Sequence, residues 1–350
     1  MPQSPDTLKA RELILKYGVN SACYQIVNDN ITKFFPPTGE SLVGFVKYHG
    51  IHVVATEPIG PISNIKEATT HFQQSHANAC YFGASQEFTQ VLAQLGPATE
   101  ICIGSQPCWN LQSWNDTILV IPSLREQFRR ARAKGVTIRE LTTEEAQSHP
   151  QLQEVLQTWL KNRRFSPLHF LVEFDTLDFL LDRRIFVAER DGKIQAWLNL
   201  CPIPKRKGWL TEQFPRIPSA PNGTMELLLH TAAQSLASEG HEFLTMGLVP
   251  LSNIAIESPK PPWLQWAFLW ARAHGKRFYN FQGLENFKSK FRPHHWEPLY
   301  AAVLEKSFRP QHLIAIARAF TQDPLIPTLL KGAYRSICKE VKWILKGAKH

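Results

Sequence analysis

No C-x-x-C pair occurs among the six cysteines (Cys23, Cys80, Cys102, Cys108, Cys201 and Cys338), which argues against a zinc ribbon and a thioredoxin-type redox site. Thiols dispersed through 350 residues read instead as the reduced, buried groups of a cytosolic protein. The chain has no G-x-x-x-x-G-K-[ST] loop, which removes a P-loop nucleotide site. It also lacks G-x-S-x-G and H-E-x-x-H, the commonest serine-hydrolase and zincin signatures. His294 and His295 are adjacent, so on an extended backbone they point to opposite sides and make a poor chelating pair. Neither a metal nor another cofactor is called for. No uninterrupted apolar run approaches the roughly 20 residues of a spanning helix. The stretch Met1–Gly18 is polar and helical, unlike a signal peptide. Acidic residues are the scarcer charge: 30 Asp+Glu against 39 Lys+Arg leave +9, which favours phosphates or anionic lipid as partners.

What is present is an ordinary globular mixture, 43% apolar and 20% charged, with no periodic repeat. Ser4-Pro5, followed by Leu8, Leu13, Ile14 and Tyr17 and closed by Gly18, predicts a capped helix. Runs Leu42–Tyr48 and Ile51–Thr56 flank His49-Gly50 as a hairpin, and helical and strand-like segments then alternate over Ser63–His76, Ala79–Gly83, Ser85–Leu95, Glu100–Gly104 and Thr117–Pro122. Ser123 and Glu126 have capping-box spacing, opening a helix that runs to Lys134 and stops at Gly135. A second hairpin, Arg184–Arg190 and Lys193–Leu200, turns on Asp191-Gly192. A strand near Gly208–Glu212, a helix from Gly223 to Ser238, a strand at Glu242–Met246, a tryptophan-rich helix over Pro262–His274 and a strand at Leu299–Leu304 follow. The expected fold is α+β, mixed sheets flanked by helices, with domains over 1–122 and 123–305 and a basic helical tail over 306–350.

Three clusters carry chemistry. Arg125, Arg129 and Arg132 share one helix face, where planar guanidinium forks suit phosphate oxygens; a solvated charged face is the plainer reading. In Phe278–Tyr300, Lys288, Lys290 and Arg292 interleave with Tyr279, Phe281, Phe287, Phe291 and Trp296, so that cations grip phosphate while rings stack, or else the rings are core and the cations face water. In the third, Glu212 and Arg216 lead to Glu226, which sits inside the apolar run Met225, Leu227, Leu228 and Leu229. A carboxylate there binds an ammonium or accepts a proton, unless it only favours the start of its helix. In the tail, Lys331, Arg335, Lys339, Lys342, Lys346 and Lys349 fall within an arc of about 80° beside a separate aliphatic arc, which fits either an anionic membrane surface or a helix docked on the core.

At these same residues the chain resembles the catalytic module of phosphatidylglycerol lysyltransferase, the multiple peptide resistance factor family. The resemblance runs from Glu12–Gly18 through Val53–Gly60, Ile103–Trp109, Ser123–Arg125 with Arg129–Val136, Ala220–Glu226 and Met246–Ser252. It ends in Phe278–Phe281, Gly283-Leu284, Phe287-Lys288 and Trp296–Pro298. It implies tandem GNAT-like acyltransferase folds that transfer an aminoacyl group from aminoacyl-tRNA to the glycerol hydroxyl of phosphatidylglycerol. The family's amino-terminal multispanning flippase has no counterpart here, so the resemblance covers synthesis alone. Glu212 and Glu226 stand where the family usually has aspartates, Pro215 at a usual arginine, and Ser105 and Asn110 where acids are common. With fewer carboxylates to hold a side-chain ammonium, alanine or another amino acid is as open as lysine.

An aminoacyl ester is already activated, so its transfer needs a proton acceptor, donors for an oxyanion and cations for two phosphate-bearing substrates. The implied assignment gives Glu226 or Glu212 the amine-binding or base role, and Arg216, Lys288 and Lys290 the phosphate or oxyanion. Arg292, Tyr279 and Trp296 complete the substrate contacts. Arg125, Arg129 and Arg132 meet tRNA or a lipid headgroup, and the tail holds the protein at the inner face of the plasma membrane. A soluble peptide or amine acceptor, or a non-catalytic module that binds RNA or membrane, is the alternative.

Overall fold

In the computed structural model, which describes residues 4–321 apart from 38, 163–167, 175, 178 and 275–280, the first helix is α1 (Pro5–Tyr17). The Ser4 hydroxyl accepts the Thr7 amide at 3.1 Å, Pro5 occupies the first turn, and the Gly18 amide closes on Ile14 O at 2.7 Å. Gly18 is required by proximity: a Cβ there would lie 2.7 Å from both Cys23 Sγ and Ile14 O.

The strands are β1 (Thr32–Phe34), β2 (Val43–Tyr48), β3 (Ile51–Ala55), β4 (Ala79–Ala84), β5 (Thr99–Asn110) and β6 (Thr137–Leu141), then β7 (Arg184–Arg190), β8 (Lys193–Ile203), β9 (Gly208–Thr211), β10 (Phe243–Thr245), β11 (Val249–Pro250) and β12 (His295–Val303). They form one mixed sheet in the order β1-β2-β3-β4-β12-β5-β10-β9-β8-β7-β6, with β11 also on β5. Both predicted hairpins form; in the second, Asp191 and Gly192 take the positive φ values (52° and 70°) of a tight turn. β12 lies between β4 and β5, antiparallel to both, so the end of the described chain returns to strands from its first third.

The remaining helices are α2 (Ile65–Ser75), α3 (Gln86–Leu95), α4 (Trp114–Ile118), α5 (Pro122–Ala133), α6 (Thr143–Ser148), α7 (Pro150–Asn162), α8 (Thr224–Ser238), α9 (Asn253–Glu257), α10 (Pro262–His274), α11 (Phe281–Ser289) and α12 (Pro310–Thr321). They cover both faces of the sheet, and β8 shows the consequence: Ala196, Leu198 and Leu200 enter the core beneath α5 and α8, while Trp197, Cys201 and Ile203 enter cores on the opposite face. Trp114 Nε1 donates to His230 Nδ1 at 3.1 Å, and Phe128 stacks on that imidazole at 4.4 Å, joining α4 and α5 to α8. Burial, with the Arg132 charge adding to it, pulls His230 down to about 4, so the ring is a neutral acceptor near pH 7.

The segment Thr117–Pro122 runs from the end of α4 through a turn into α5, because Trp114 and Ile118 are buried one helical turn apart while Leu119 and Val120 face outward. One local expectation fails. The capping box expected at Ser123 and Glu126 does not form. Pro122, with its fixed φ, takes the first helical position two residues ahead of where a Ser123 cap would start the helix, and the Glu126 carboxylate goes to Arg129 and Arg130 at 2.8 and 2.6 Å. A reciprocal box is made at Thr142 and Glu145 instead.

Candidate active site

β9 and β10 run parallel, with Gly208, Trp209 and Leu210 paired to Phe243, Leu244 and Thr245. Beyond these pairs the two chains part. The continuation of β9 stays on β8, with the Glu212 amide donating to Asn199 O (2.9 Å) and the Trp197 amide to Pro215 O (3.0 Å). The continuation of β10 stays on β5, where Thr245 faces Cys108 and Val249 faces Ser105. Three residues, Met246 to Leu248, therefore stand opposite two, Gln106 and Pro107: a bulge, with Gly247 at φ +71°. The parting of the strands opens a V in the sheet.

α11 and the residues just after it fill the mouth of that V. Lys288 Nζ donates to the carbonyls of Met246, Gly247 and Leu248 at 2.6, 2.8 and 3.2 Å. Phe287 packs edge-on against Phe214 at 6.1 Å, from the opposite arm. Lys290 Nζ pairs with Glu226, in the first turn of α8, and lies 4.2 Å from the Phe287 ring centroid. Gly223 precedes α8 at φ +90°, and a Cβ there would be 2.1 Å from Gln127 O of α5; conformation and space both require glycine. Burial pulls the Lys288 ammonium down to about 7, and three carbonyls, one for each N–H, oppose that pull.

Glu212 stands at the root of the V on the other face. Arg183 Nη2 lies 3.0 Å from Glu212 Oε1, with side-chain exposures of 0% and 4%, and Gln25 and Asn199 also donate to this carboxylate. Burial works against the Arg183 charge, but Glu212 more than offsets it and the guanidinium is raised. Arg183 also donates to Phe179 O (2.6 Å) and Asn28 Oδ1 (3.1 Å). On the same face as this pair, Asn199 Oδ1 and Gln213 Oε1 are buried with no hydrogen-bond partner among the described residues.

Of the residues singled out in the sequence, Glu226, Lys288 and Lys290 are thus brought together, with Glu212 across the sheet and Arg216 exposed on the arm that continues β9. Arg292 is exposed just past α11, at φ +46°. Trp296 is half-buried opposite Pro107. Arg125 and Arg132 are exposed on α5, and the Arg129 fork is held by Glu126. Tyr279 and the tail residues Lys331, Arg335, Lys339, Lys342 and Lys346 lie outside the described residues. Sequence reasoning missed Arg183 and Gln25. The only signal for Arg183 was a second arginine at the start of a hairpin strand, and for Gln25 there was none.

Parallel strands that part beside a helix start, within a mixed sheet covered by helices, give the layout of a GNAT-like acyltransferase domain. The comparisons with known proteins narrow that class. The family described as phosphatidylglycerol lysyltransferase, C-terminal, matches residues 11–303, and the chain belongs to it. It is 24% identical over 303 residues to the phosphatidylglycerol lysyltransferase of Staphylococcus epidermidis, covering 82% of this chain and 34% of that protein, and 28% identical over 158 residues to that of Staphylococcus aureus, covering 43% and 18%. It spans about a third of the length of the first of these relatives. The C-terminal domain of a putative lysylphosphatidylglycerol synthetase from Agrobacterium fabrum shares the fold at a TM-score of 0.78 and 22% identity, over 90% of this chain and 97% of that one. L-PGS from Bacillus licheniformis does so at 0.75 and 21%, over 91% and 97%.

Proposed function

We propose that this chain is an aminoacyltransferase that moves an aminoacyl group from aminoacyl-tRNA to the glycerol hydroxyl of phosphatidylglycerol at a membrane surface. Family membership supports the lipid substrate, and the observation that carries the chemistry is the Glu226–Lys290 pair at the mouth of the parted strands. In this reading a phosphate draws Lys290 away and leaves Glu226 to take the hydroxyl proton. The hydroxyl oxygen attacks the ester carbonyl, and the oxyanion collapses with departure of the ribose oxygen, which recovers a proton. Lys288 holds the bulge that shapes the mouth. The unpaired acceptors beside Glu212 suit the α-ammonium of the aminoacyl group. Arg216 and Arg292, with Arg125 and Arg132 on α5, offer exposed cations to the two phosphate-bearing substrates.

The test is transfer of label from aminoacyl-tRNAs into phosphatidylglycerol vesicles, read after extraction into organic solvent. Label entering the lipid with at least one amino acid is the expected result; label that stays in water with every amino acid overturns the reading, and label found on an added soluble amine acceptor instead moves the acceptor class.

No helix among the described residues is long and apolar enough to cross a membrane. α10 nevertheless exposes Trp263 (37%), Trp266 (67%) and Leu269 on its surface. Indole rings favour the headgroup boundary, where one part of the ring is dry and the N–H is wet. Trp263→Ser with Trp266→Ser is expected to weaken partitioning onto phosphatidylglycerol vesicles about tenfold in a sedimentation assay. Binding unchanged within twofold would leave the contact to the basic tail.

A further inference from the structure

The β5–β12 ladder creates a second constellation, remote in sequence and distinct from the Glu226–Lys290 mouth. Its register sets Cys108 directly opposite His295, and the two-residue period of a strand puts Glu297 on the same face as His295. Cys108 Sγ, one imidazole nitrogen of His295 and one carboxylate oxygen of Glu297 all lie within 4.8 Å of one another. The adjacent histidines diverge, as an extended backbone requires: His294 Nδ1 accepts the Asn110 amide at 3.2 Å, whereas His295 Nε2 lies 3.0 Å from Glu297 Oε1.

We propose that Cys108, His295 and Glu297 form a binding site for a thiophilic divalent cation of the zinc type. This inference does not depend on the aminoacyl-transfer reading. One sulfur, one imidazole and one carboxylate are a donor set that zinc accepts, with ligand bonds of about 2.0–2.3 Å. Closing three donors onto such an ion moves each by roughly an ångström. Binding exchanges the Cys108 thiol proton for the metal and replaces the His295–Glu297 hydrogen bond by two coordinate bonds.

The surroundings already supply the outer partners. Arg206 forks onto Glu297 at 2.8 and 2.6 Å, and Gln106 Nε2 donates to Oε2 at 2.9 Å, so the carboxylate is oriented with Oε1 toward His295. Gln106 Oε1 in turn accepts the Ser21 hydroxyl at 2.6 Å. The Arg206 charge opposes a bound cation, and the buried thiol, as thiolate, counters it. Cys108 is fully buried while His295 is exposed on the wall of an open cavity of about 690 Å³, shared with Trp109, Asn110, Gln112 and Arg206. The ion is therefore reachable from solvent on one side, where a water completes its coordination.

Cadmium titration of the full chain tests this through the ultraviolet thiolate-to-cadmium charge-transfer band. One equivalent saturating that band is expected, with the band abolished in Cys108→Ser and the affinity lowered at least about tenfold in His295→Ala. His295 is exposed, so that variant leaves the core intact and keeps the test meaningful if Cys108→Ser folds poorly. Cobalt, added in place of cadmium, should give the intense visible bands of a tetrahedral site. No charge-transfer band, a band that survives Cys108→Ser, or an affinity unchanged in His295→Ala overturns the proposal.

Discussion

Glu226→Gln is expected to reduce aminoacyl transfer to phosphatidylglycerol by about 10²- to 10⁴-fold, the range lost when a positioned general base is removed. The substitution keeps the shape of the side chain and an oxygen for Lys290, and it removes the proton acceptor. Glu226 and Lys290 have side-chain exposures of 14% and 32%, and the glutamine oxygen can still accept from Lys290, so most of the folding contribution of the contact is kept. The thermal midpoint should therefore move by only a few degrees. The contrast between rate and stability separates chemistry from structure. Lys290→Met tests the other half of the pair: a loss that appears mainly as a raised KM for the phosphate-bearing substrate marks Lys290 as a binding group, and an equal loss in kcat and kcat/KM marks it as a partner of the transition state. A Glu226→Gln rate within threefold of the parent protein would remove this carboxylate from the mechanism.

The legible parts of the molecule are those whose cause is local. Ser4, Pro5 and Gly18 punctuate α1 within fourteen residues of one another, and Asp191-Gly192 sets a hairpin by backbone conformation alone. A lone carboxylate in the apolar start of α8 and the two lysines that end the α11 region were visible for the same reason. What the chain hides is decided by distant pairing. β5 continues through Gln106 and Pro107, which look like a strand ending, because β12 supplies hydrogen bonds from far along the sequence. Cys108 and His295 become neighbours only through that register. Arg183 gives no local sign of being the partner of Glu212, since the two meet only when β7, β8 and β9 are stacked side by side. The failed capping box has a local cause that the motif overrode: the preference of Pro122 for the first helical position.

Arg183→Met is expected to destabilise the fold by about 3–5 kcal/mol, the usual result of leaving one member of a buried ion pair uncompensated. Glu212 would then keep Gln25 and Asn199 as donors but lose the charge that balances it. The effect reaches beyond one strand. Gln25 and Asn28 belong to the 3₁₀ turn Cys23–Val27 and the residue after it, so the Arg183–Glu212 network joins the amino-terminal segment to the β8–β9 strand pair. Guanidinium denaturation should show a lower midpoint with little change in slope, the mark of lost stability rather than altered compactness. The double variant Arg183→Met with Glu212→Leu is decisive. If the cost lies in an unpaired charge, removing both partners restores much of what the single change lost, and the coupling energy in the cycle is large. If the two single changes simply add, or if Arg183→Met costs under about 1 kcal/mol, the pair is not what holds that segment to the sheet. Glu212→Gln separates stability from specificity: with the amide in place, any change in which aminoacyl group is transferred reports on the unpaired acceptors beside it, independently of the charge.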